Sequence, residues 1–425
     1  MRIALLSYST KPRGGVVHTL ALAEALAALG EDVTVWTLGR GGDAGFFRPV
    51  DPAVRLAIVP FPDDPGESVG ERILRSIAVL RAAFTPDAYD IVHAQDCISA
   101  NAVDHCVRTI HHLDTFTTPE LAACHERAIV RPYAHLCVSE SVAAEVRDGW
   151  GIEATVIPNG VDHDRFANAR RDTGRGRYVL AVGGIEPRKG SLDLLEAYAL
   201  LAEPDVRLVI AGGETLFDYR DYRTRWEKRA AELGVEPDVL GPVAHDELPS
   251  LMASAAVFAF PSTKEGFGLA AMEALAAGVP VVTRDLPVLR EVFGGVARFA
   301  ADPPGFAREL RAAMAGVDPA PGRALARRYT WPAAAEAHRR FYRALCSAAP
   351  GEVRDGVRAE HQRETRQRQA QREQERQAPH QFAGTVGGRG DDGEQLQHQV
   401  EDAHGAGDRE HDARPAHAAV DAVHQ

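Results

Sequence analysis

Short apolar runs alternate with alanine-rich helical patterns along most of the chain. The first such unit runs from IALLSY at 3–8, through a helical pattern near 16–29, to DVTVWTL at 32–38. Unbroken runs of Val, Ile and Leu predict strands that are buried on both faces, and their alternation with helices predicts a parallel sheet. The further strands that this series predicts lie at 55–59, 89–94, 107–112 and 135–139.

A second series of the same kind begins at residue 178. Its predicted strands lie at 178–183, 207–212, 257–261 and 279–283. Between the two series, the segment 159–177 is polar and rich in Gly and Arg, which is typical of a domain boundary. The sequence therefore predicts an α/β fold with two Rossmann-like domains facing a cleft. We place the N-terminal domain at 1–165, a linker at 166–177 and the C-terminal domain at 178–330.

The last 76 residues, 350–425, have a different composition. They contain only eight residues of the types Val, Ile, Leu, Met, Phe, Trp and Tyr, but eleven Gln and seven His. So few large apolar side chains cannot build a core, and the segment is predicted to be a disordered tail. The alternative for 362–377 is a charged interaction helix or an RNA-contacting strip, although acidic residues interleave with its arginines.

Composition excludes several classes of function. The net charge of -12 over 425 residues argues against a generic nucleic-acid-binding protein, which usually carries a basic face. The five cysteines form no CxxC pair and no metal-ligand spacing, which is typical of reduced thiols in a cytoplasmic protein. No stretch approaches about 18 continuous apolar residues, so a membrane span is not expected, while peripheral association stays open.

A glycine pair follows the first predicted strand, in KPRGGVVH at 11–18. Gly14 and Gly15 would open the first helix, where the absence of a Cβ lets a ligand approach the backbone and free N–H groups attract an anion. A tight turn between strand and helix would use the same residues. The pair therefore predicts either an anion site or a plain turn.

Two cations follow the first strand of the second series, in GGIEPRKG at 183–190. Arg188 and Lys189 would lie at the carboxyl end of this strand, which is where open α/β sheets bind ligands. Arginine can grip two phosphate oxygens and lysine supplies a mobile point charge, a combination that suits a diphosphate. The alternative is a solvated basic turn.

Two carboxylates flank a glycine loop in FPSTKEGFGLAAMEALAAGVPVV at 260–282. Glu265 would lie in a loop with Gly266 and Gly268, and Glu273 would lie about one turn into the following helix, so that both could face the cleft. Carboxylates accept hydrogen bonds from sugar hydroxyls. The N–H groups expected to point toward a phosphate belong to Phe267, Gly268 and Leu269.

Together these motifs resemble the retaining glycosyltransferases of family 4, the glycosyl transferases group 1, which have the GT-B fold. The resemblance covers about residues 1–346. Its motifs, in chain order, are the GG pair at 14–15, IPNGVD at 157–162, the RK pair at 188–189 and EGFGLAAME at 265–273.

The resemblance implies a role for each of these residues. Gly15, beside Gly14, would lie against the donor. Arg188 and Lys189 would hold the donor's diphosphate and stabilise its departure. Glu265 would contact and position the transferred sugar, and Glu273 would hold the ribose. Residues 331–348 resemble the helix with which members of the family cross back to the N-terminal domain.

A histidine in RTIHHLDTF matches the family's active-site histidine. We favour His111 for this position over its neighbour His112. In HAQD at 93–96, Gln95 stands where the family often has a second histidine, which departs from the pattern on the acceptor side. The sequence Asp-His-Asp at 162–164 spells DxD, a metal-diphosphate signature of other transferases, but here it ends the NGVD motif and does not imply a metal.

The implied activity is the transfer of a sugar from a nucleotide-diphosphate donor to a hydroxyl, with retention of configuration. The family resemblance implies no cofactor and no metal. The acceptor could be a small molecule, a glycan or a lipid. The alternatives are a sugar-nucleotide epimerase of the same fold, which needs no acceptor, and a non-catalytic protein that binds a sugar nucleotide.

Overall fold

The computed structural model describes residues 1–114, 116, 119–212 and 219–347. The predicted tail at 350–425, with its alternative of an interaction helix, lies outside the described residues.

The N-terminal half forms a sheet of seven strands, all parallel, in the order β3-β2-β1-β4-β5-β6-β7. The strands are β1 (Arg2–Leu6), β2 (Asp32–Arg40), β3 (Arg55–Phe61), β4 (Ile91–Ala94), β5 (Val107–Ile110), β6 (Ala134–Cys137) and β7 (Thr155–Val156). The helices between them are α1 (Gly14–Ala28), α2 (Val69–Ala83), α3 (Cys97–Ala102), α4 (Pro119–Val130) and α5 (Glu140–Trp150).

The second half forms a sheet of six parallel strands in the order β10-β9-β8-β11-β12-β13. The strands are β8 (Arg177–Val182), β9 (Val206–Ala211), β10 (Asp238–Gly241), β11 (Val257–Phe260), β12 (Val281–Arg284) and β13 (Arg298–Ala300). The helices are α6 (His163–Ala167), which precedes the sheet, then α7 (Ser191–Leu201), α8 (Arg220–Leu233), α9 (Leu248–Ser254), α10 (Leu269–Ala276), α11 (Pro287–Phe293), α12 (Pro303–Met314), α13 (Ala320–Arg328) and α14 (Trp331–Ser347).

Both sheets are covered by helices on both faces, as the apolar runs predict. In β1, Ile3 and Leu5 belong to one core cluster while Ala4 and Leu6 belong to another, on the opposite face. The α/β class with two parallel sheets is therefore confirmed. Three short strands were not predicted, β7, β10 and β13, because none of them carries an apolar run long enough to be told from a loop.

The chain crosses between the halves twice, at neighbouring points. Val161 pairs with Thr330 in an isolated parallel bridge, and α14, which begins at Trp331, packs on the core of the N-terminal sheet through Ala335 and Tyr342. Gly160 lies directly against this crossing, and a Cβ placed on it would be 2.4 Å from the backbone nitrogen of Trp331. The glycine of IPNGVD thus allows two backbones to touch.

We expect Gly160→Ala to destabilise the protein, because the added methyl group meets backbone that cannot rotate away. Overpacking of this kind costs about 1–3 kcal/mol, and backbone contact places the expected value at the upper end. Chemical denaturation measures the change in the free energy of unfolding. Gly149→Ala is the matched control, since a Cβ there meets nothing within 4 Å; equal stability of the two variants would contradict the role given to Gly160.

Candidate active site

The carboxyl ends of the two sheets meet at His111. This residue follows β5 of the N-terminal sheet, and Gly266, in the loop after β11 of the second sheet, lies against it so closely that a Cβ on Gly266 would be 1.5 Å from the carbonyl oxygen of His111. On the other side, a Cβ on Gly15 would be 3.8 Å from the His111 ring. The fold therefore brings together three residues that the sequence singled out in separate motifs.

The second feature of the site is a cluster of ions around Glu265. One carboxylate oxygen of Glu265 accepts a hydrogen bond of 2.7 Å from Lys189 Nζ and one of 3.3 Å from Arg188 Nη1. Arg188 also donates to Glu186, at 3.1 Å. Burial alone would raise the pKa of Glu265, but the charges of Lys189 and Arg188 outweigh it and lower this pKa to about 2. Glu265 is thus a fixed anion at neutral pH, unable to act as a proton donor.

Glycines shape the loops that carry this cluster. Arg188 and Lys189 lie in a short 3₁₀ turn that ends at Gly190, whose φ of +63° is strained for any other residue. A Cβ on Gly190 would be 2.2 Å from the carbonyl oxygen of Pro261, in the loop after β11. The turn that bears the cations can therefore pack against the loop that leads to Glu265.

The helix after Glu265 starts as the sequence predicts. Gly268, with φ of +94°, precedes α10, which begins at Leu269. The first N–H groups of a helix have no acceptor inside it, so this end can receive an anion. Phe267, in contrast, is buried and packs on the ring of Tyr329 at 5.4 Å between centroids. Its side chain belongs to the core, which leaves only its backbone for a ligand.

Glu273 lies in a quite different environment from Glu265. It is half-buried on α10, and burial raises its pKa to about 7, although the charge of Arg165 acts in the opposite direction. Arg165 comes from α6 and itself donates to the carbonyl oxygen of His245. The two carboxylates of the E-x7-E motif thus do not act as a pair: one is held ionised and the other is easily protonated.

His111 is half-buried and contacts a set of buried histidines. Its Nε2 lies 3.2 Å from Gln95 Oε1, and its ring meets the edge of His18 at 4.7 Å between centroids. His18 Nδ1 lies 2.8 Å from the side-chain oxygen of Asn159. Burial is the main cause that lowers the pKa of His111 well below its usual value, so this ring is neutral at physiological pH. The neighbouring His112 contacts a carboxylate, with its Nε2 3.2 Å from Asp114 Oδ1.

Sequence reasoning missed part of this set. His18 and Asn159 belong to the motifs KPRGGVVH and IPNGVD, but the sequence does not predict their contact with each other or with His111. Two further members, His93 and His338, approach each other at 5.9 Å between centroids, and His93 Nδ1 lies 2.6 Å from the hydroxyl of Tyr342 on α14. A histidine at the end of an apolar strand was the available signal, but its partners are up to 249 positions away.

The DxD-like segment has a structural use. The carboxylate of Asp162 accepts a hydrogen bond of 3.2 Å from the N–H of Arg165 and so caps α6, while Asp164 contacts its neighbour His163. In the part of the chain that the structure describes, His, Cys, Asp and Glu side chains nowhere gather in threes as a metal ion would need. Among the same residues, every helix is too short or too polar to cross a bilayer.

Comparison with known proteins places this arrangement in a family. The model of Glycosyltransferase Family 4 matches residues 12–165, and the model of glycosyl transferases group 1 matches residues 162–315. A phosphatidyl-myo-inositol mannosyltransferase of Mycobacterium tuberculosis is 30% identical over 82% of this chain and 98% of its own length. An MMP alpha-(1->4)-mannosyltransferase of Mycolicibacterium hassiacum is 30% identical over 69% of this chain and 83% of its own.

Solved structures show the same fold. A sucrose-phosphate synthase from Thermosynechococcus elongatus superposes with a TM-score of 0.67 at 22% identity, over 82% of this chain and all of the other. The Anabaena protein HepE, in complex with UDP-glucose, superposes with a TM-score of 0.65 at 19% identity, over 81% of this chain and all of the other.

The chain therefore belongs to the group 1 glycosyltransferases of family 4, as its motifs suggested. The GT-B prediction is confirmed by the two parallel sheets and by these neighbours. The protein is a glycosyltransferase of the hexosyltransferase type, with relatives that are mannosyltransferases.

The opposite environments of Glu265 and Glu273 predict opposite effects of pH on stability. The raised pKa of Glu273 means that the folded protein loses stability as the pH rises from about 4.5 to about 7, because the buried carboxyl must ionise. Glu273→Gln removes this cost, so we expect it to stabilise the protein by on the order of 1–3 kcal/mol above pH 7 and to have little effect near pH 4.

Glu265→Gln is the matched comparison. The lowered pKa of Glu265 stabilises the folded protein above about pH 4.5, and that contribution is lost as the pH falls toward 2. We therefore expect this variant to be destabilised at neutral pH. Urea unfolding at pH 4, 6 and 8 measures the change in the free energy of unfolding that each variant causes. If this change depended on pH in the same way for both variants, the proposed difference between the two carboxyl environments would be wrong.

Proposed function

We propose that this glycosyltransferase uses a nucleotide-diphosphate sugar and transfers the sugar to a hydroxyl group with retention of configuration and without a metal ion. The observation that carries the proposal is the convergence of Lys189 and Arg188 on Glu265, next to the start of α10. Two cations and a helix N-terminus at the carboxyl end of a parallel sheet suit a diphosphate. The UDP-glucose bound to the structural neighbour HepE supports the donor class.

The two cations supply the charge that drives the reaction. As the bond between the anomeric carbon and the phosphate oxygen breaks, negative charge develops on the diphosphate, and Arg188 and Lys189 stabilise it. Their positions are fixed beforehand by Glu265, so they need little rearrangement when the transition state forms. Because Glu265 is already ionised and bonded to Lys189, its proposed role is to hold these cations and the sugar, and not to protonate a leaving group.

Retention follows if the departing phosphate accepts the acceptor's proton. The acceptor oxygen then forms its bond to the anomeric carbon on the face from which the phosphate leaves, and the hydroxyl proton passes to the phosphate oxygen. No enzyme carboxylate needs to attack the sugar. In this proposal Glu273 binds the ribose of the donor. The neutral ring of His111, which lies beside Gly15, contacts the sugar from the N-terminal domain.

We place the acceptor site of this proposal in the N-terminal domain. The proposal also places the protein in the cytoplasm. Relatives named for phosphatidyl-myo-inositol and for D-inositol 3-phosphate support a hydroxyl acceptor on a polyol or on a lipid headgroup. All five cysteines are free thiols, which fits a reducing compartment.

Lys189→Ala tests the role of the cations. We expect the barrier to transfer to rise by about 2–4 kcal/mol, which is a loss of about 30- to 1,000-fold in kcat, because a charge partner of the transition state is removed. Lys228→Ala is the control, since Lys228 is exposed and lies 4.0 Å from its ion-pair partner Glu232. Radiolabelled sugar transfer measures both variants. Wild-type kcat in the Lys189 variant would remove these cations from the mechanism.

Chelation tests the absence of a metal requirement. With EDTA in excess, we expect transfer to keep its rate, because Arg188 and Lys189 can supply the positive charge that a divalent ion provides in other transferases. Loss of activity that added Mn²⁺ restores would contradict the proposal and would point to Asp162 and Asp164.

A further inference from the structure

One carboxylate of the C-terminal domain is bonded to a helix of the N-terminal domain. Glu291, on α11, accepts a hydrogen bond of 2.8 Å from the backbone N–H of Glu140 on one oxygen and one of 2.8 Å from that of Ser141 on the other. The hydroxyl of Ser141 adds a third hydrogen bond, at 2.6 Å. Glu140 and Ser141 are the first two residues of α5. We call these three hydrogen bonds the Glu291 latch.

The Glu291 latch supplies acceptors that α5 lacks. The first N–H groups of a helix have no acceptor within the helix itself. In α5, the N–H of Val142 bonds to the side chain of Ser139, which precedes the helix, at 3.3 Å. The two N–H groups before it, those of Glu140 and Ser141, are bonded to Glu291 instead. A carboxylate at this end also interacts favourably with the helix dipole.

The latch lies next to the contact that joins the carboxyl edges of the two sheets. Val138 follows β6 and directly precedes the residue that caps α5, and a Cβ on Gly266 would be 3.3 Å from its side chain. On the other domain, α11 carries Phe293, whose ring would be 2.8 Å from a Cβ on Gly268. The helices that the latch connects therefore pack directly on the glycine loop that precedes α10.

The latch can break without exposing either core. Glu291 is exposed to solvent, so water can replace its hydrogen bonds. The helix α5 packs on the N-terminal domain through Val142 and Val146, and α11 packs on the C-terminal domain through Leu289 and Phe293. Because each helix is fixed by its own apolar face, the latch is needed to hold the helices together and not to fold them.

We infer that Glu291 is a positioning residue for sugar transfer, which holds the N-terminal edge of the site against the glycine loop of the C-terminal domain. The inference rests on the proposed function, because that function places the donor at this loop. Arg188 and Lys189 lie in the same domain as Glu291, so binding of the donor diphosphate does not need the latch. Transfer does need it, because His111 comes from the other domain.

Amide hydrogen exchange tests the latch with no ligand present. In the full-length protein, we expect Glu291→Ala to speed exchange at the N–H groups of Glu140 and Ser141 by about 10-fold, because each loses a charge-assisted hydrogen bond. Mass spectrometry of peptic fragments measures the rate. Asp302→Ala is the matched control, since Asp302 caps α12 within one domain, at 2.8 Å from the N–H of Gly305. Exchange at α5 that is unchanged in the Glu291 variant would overturn the inference.

Kinetics then separates positioning from folding. With UDP-glucose or GDP-mannose as donor, and D-inositol 3-phosphate or phosphatidylinositol vesicles as acceptor, we expect Glu291→Ala to lower kcat by about 10-fold. The dissociation constant of the donor, measured by calorimetry, should stay within about threefold of the wild type. Glu291→Gln keeps one acceptor oxygen and should recover part of the loss, while Asp302→Ala should keep both constants.

Two kinetic outcomes would contradict the positioning role. One is a wild-type kcat in Glu291→Ala, and the other is an equal loss of kcat and of donor affinity, which would indicate damage to the donor site. Thermal melting shows whether each variant folds. If Glu291→Ala does not fold, Ser141→Ala removes only the third hydrogen bond and should lower kcat by about threefold with the same donor affinity.

The exchange measurement keeps this inference distinct from the proposed function. Because it needs no turnover, faster exchange in Glu291→Ala supports the latch even if neither donor is bound or consumed, a result that would count against the proposed donor class alone. Transfer from a nucleotide sugar with the same exchange and the same kcat in the variant and the wild type leaves the proposed function standing and rejects the latch.

Discussion

The contact between Gly266 and the carbonyl of His111 is the constraint on which the site depends. Two parallel sheets each offer a carboxyl edge, but a ligand that must touch both needs these edges within a few ångströms of one another. The approach is possible only because Gly266 has no Cβ, which would overlap the His111 carbonyl at 1.5 Å. Gly15 faces the same histidine from the other side. The donor loop of one domain and the glycine turn of the other are thereby joined at one residue.

Electrostatics divides this site into regions with different tasks. Around Glu265, buried charges of both signs compensate each other, so the cations are fixed before any ligand arrives. Around Glu273, burial is not matched by a direct ion pair with any cation of the described residues, and the raised pKa of the carboxyl lies close to neutral pH. The two carboxylates of the motif therefore differ in charge state at neutral pH.

The set of histidines connects the site with α14, the helix that crosses back to the N-terminal sheet. His18 on α1 contacts both His111 and Trp331 at the start of α14, and His93 on β4 approaches His338 and contacts Tyr342 on that helix. Burial keeps the pKa of each of the four histidines below its ordinary value, so the set is neutral and can pack without counter-ions. The crossing helix therefore contributes to the environment of the active-site candidate, although it is more than 200 positions away in sequence.

Periodicity and short motifs determined much about this protein. Short apolar runs that alternate with helical patterns predict strands of a covered parallel sheet, so the two sheets and most of their strands follow from local pattern. The GG, IPNGVD, RK and E-x7-E motifs resemble those of the family to which the chain belongs. Tertiary structure alone decided which charges meet. The pairing of Lys189 with Glu265 and the contacts of His18 with His111 and Trp331 join segments that are far apart in the sequence. The pKa values of Glu265 and Glu273 differ because the pKa of a carboxyl depends on burial and on neighbours that no local pattern specifies.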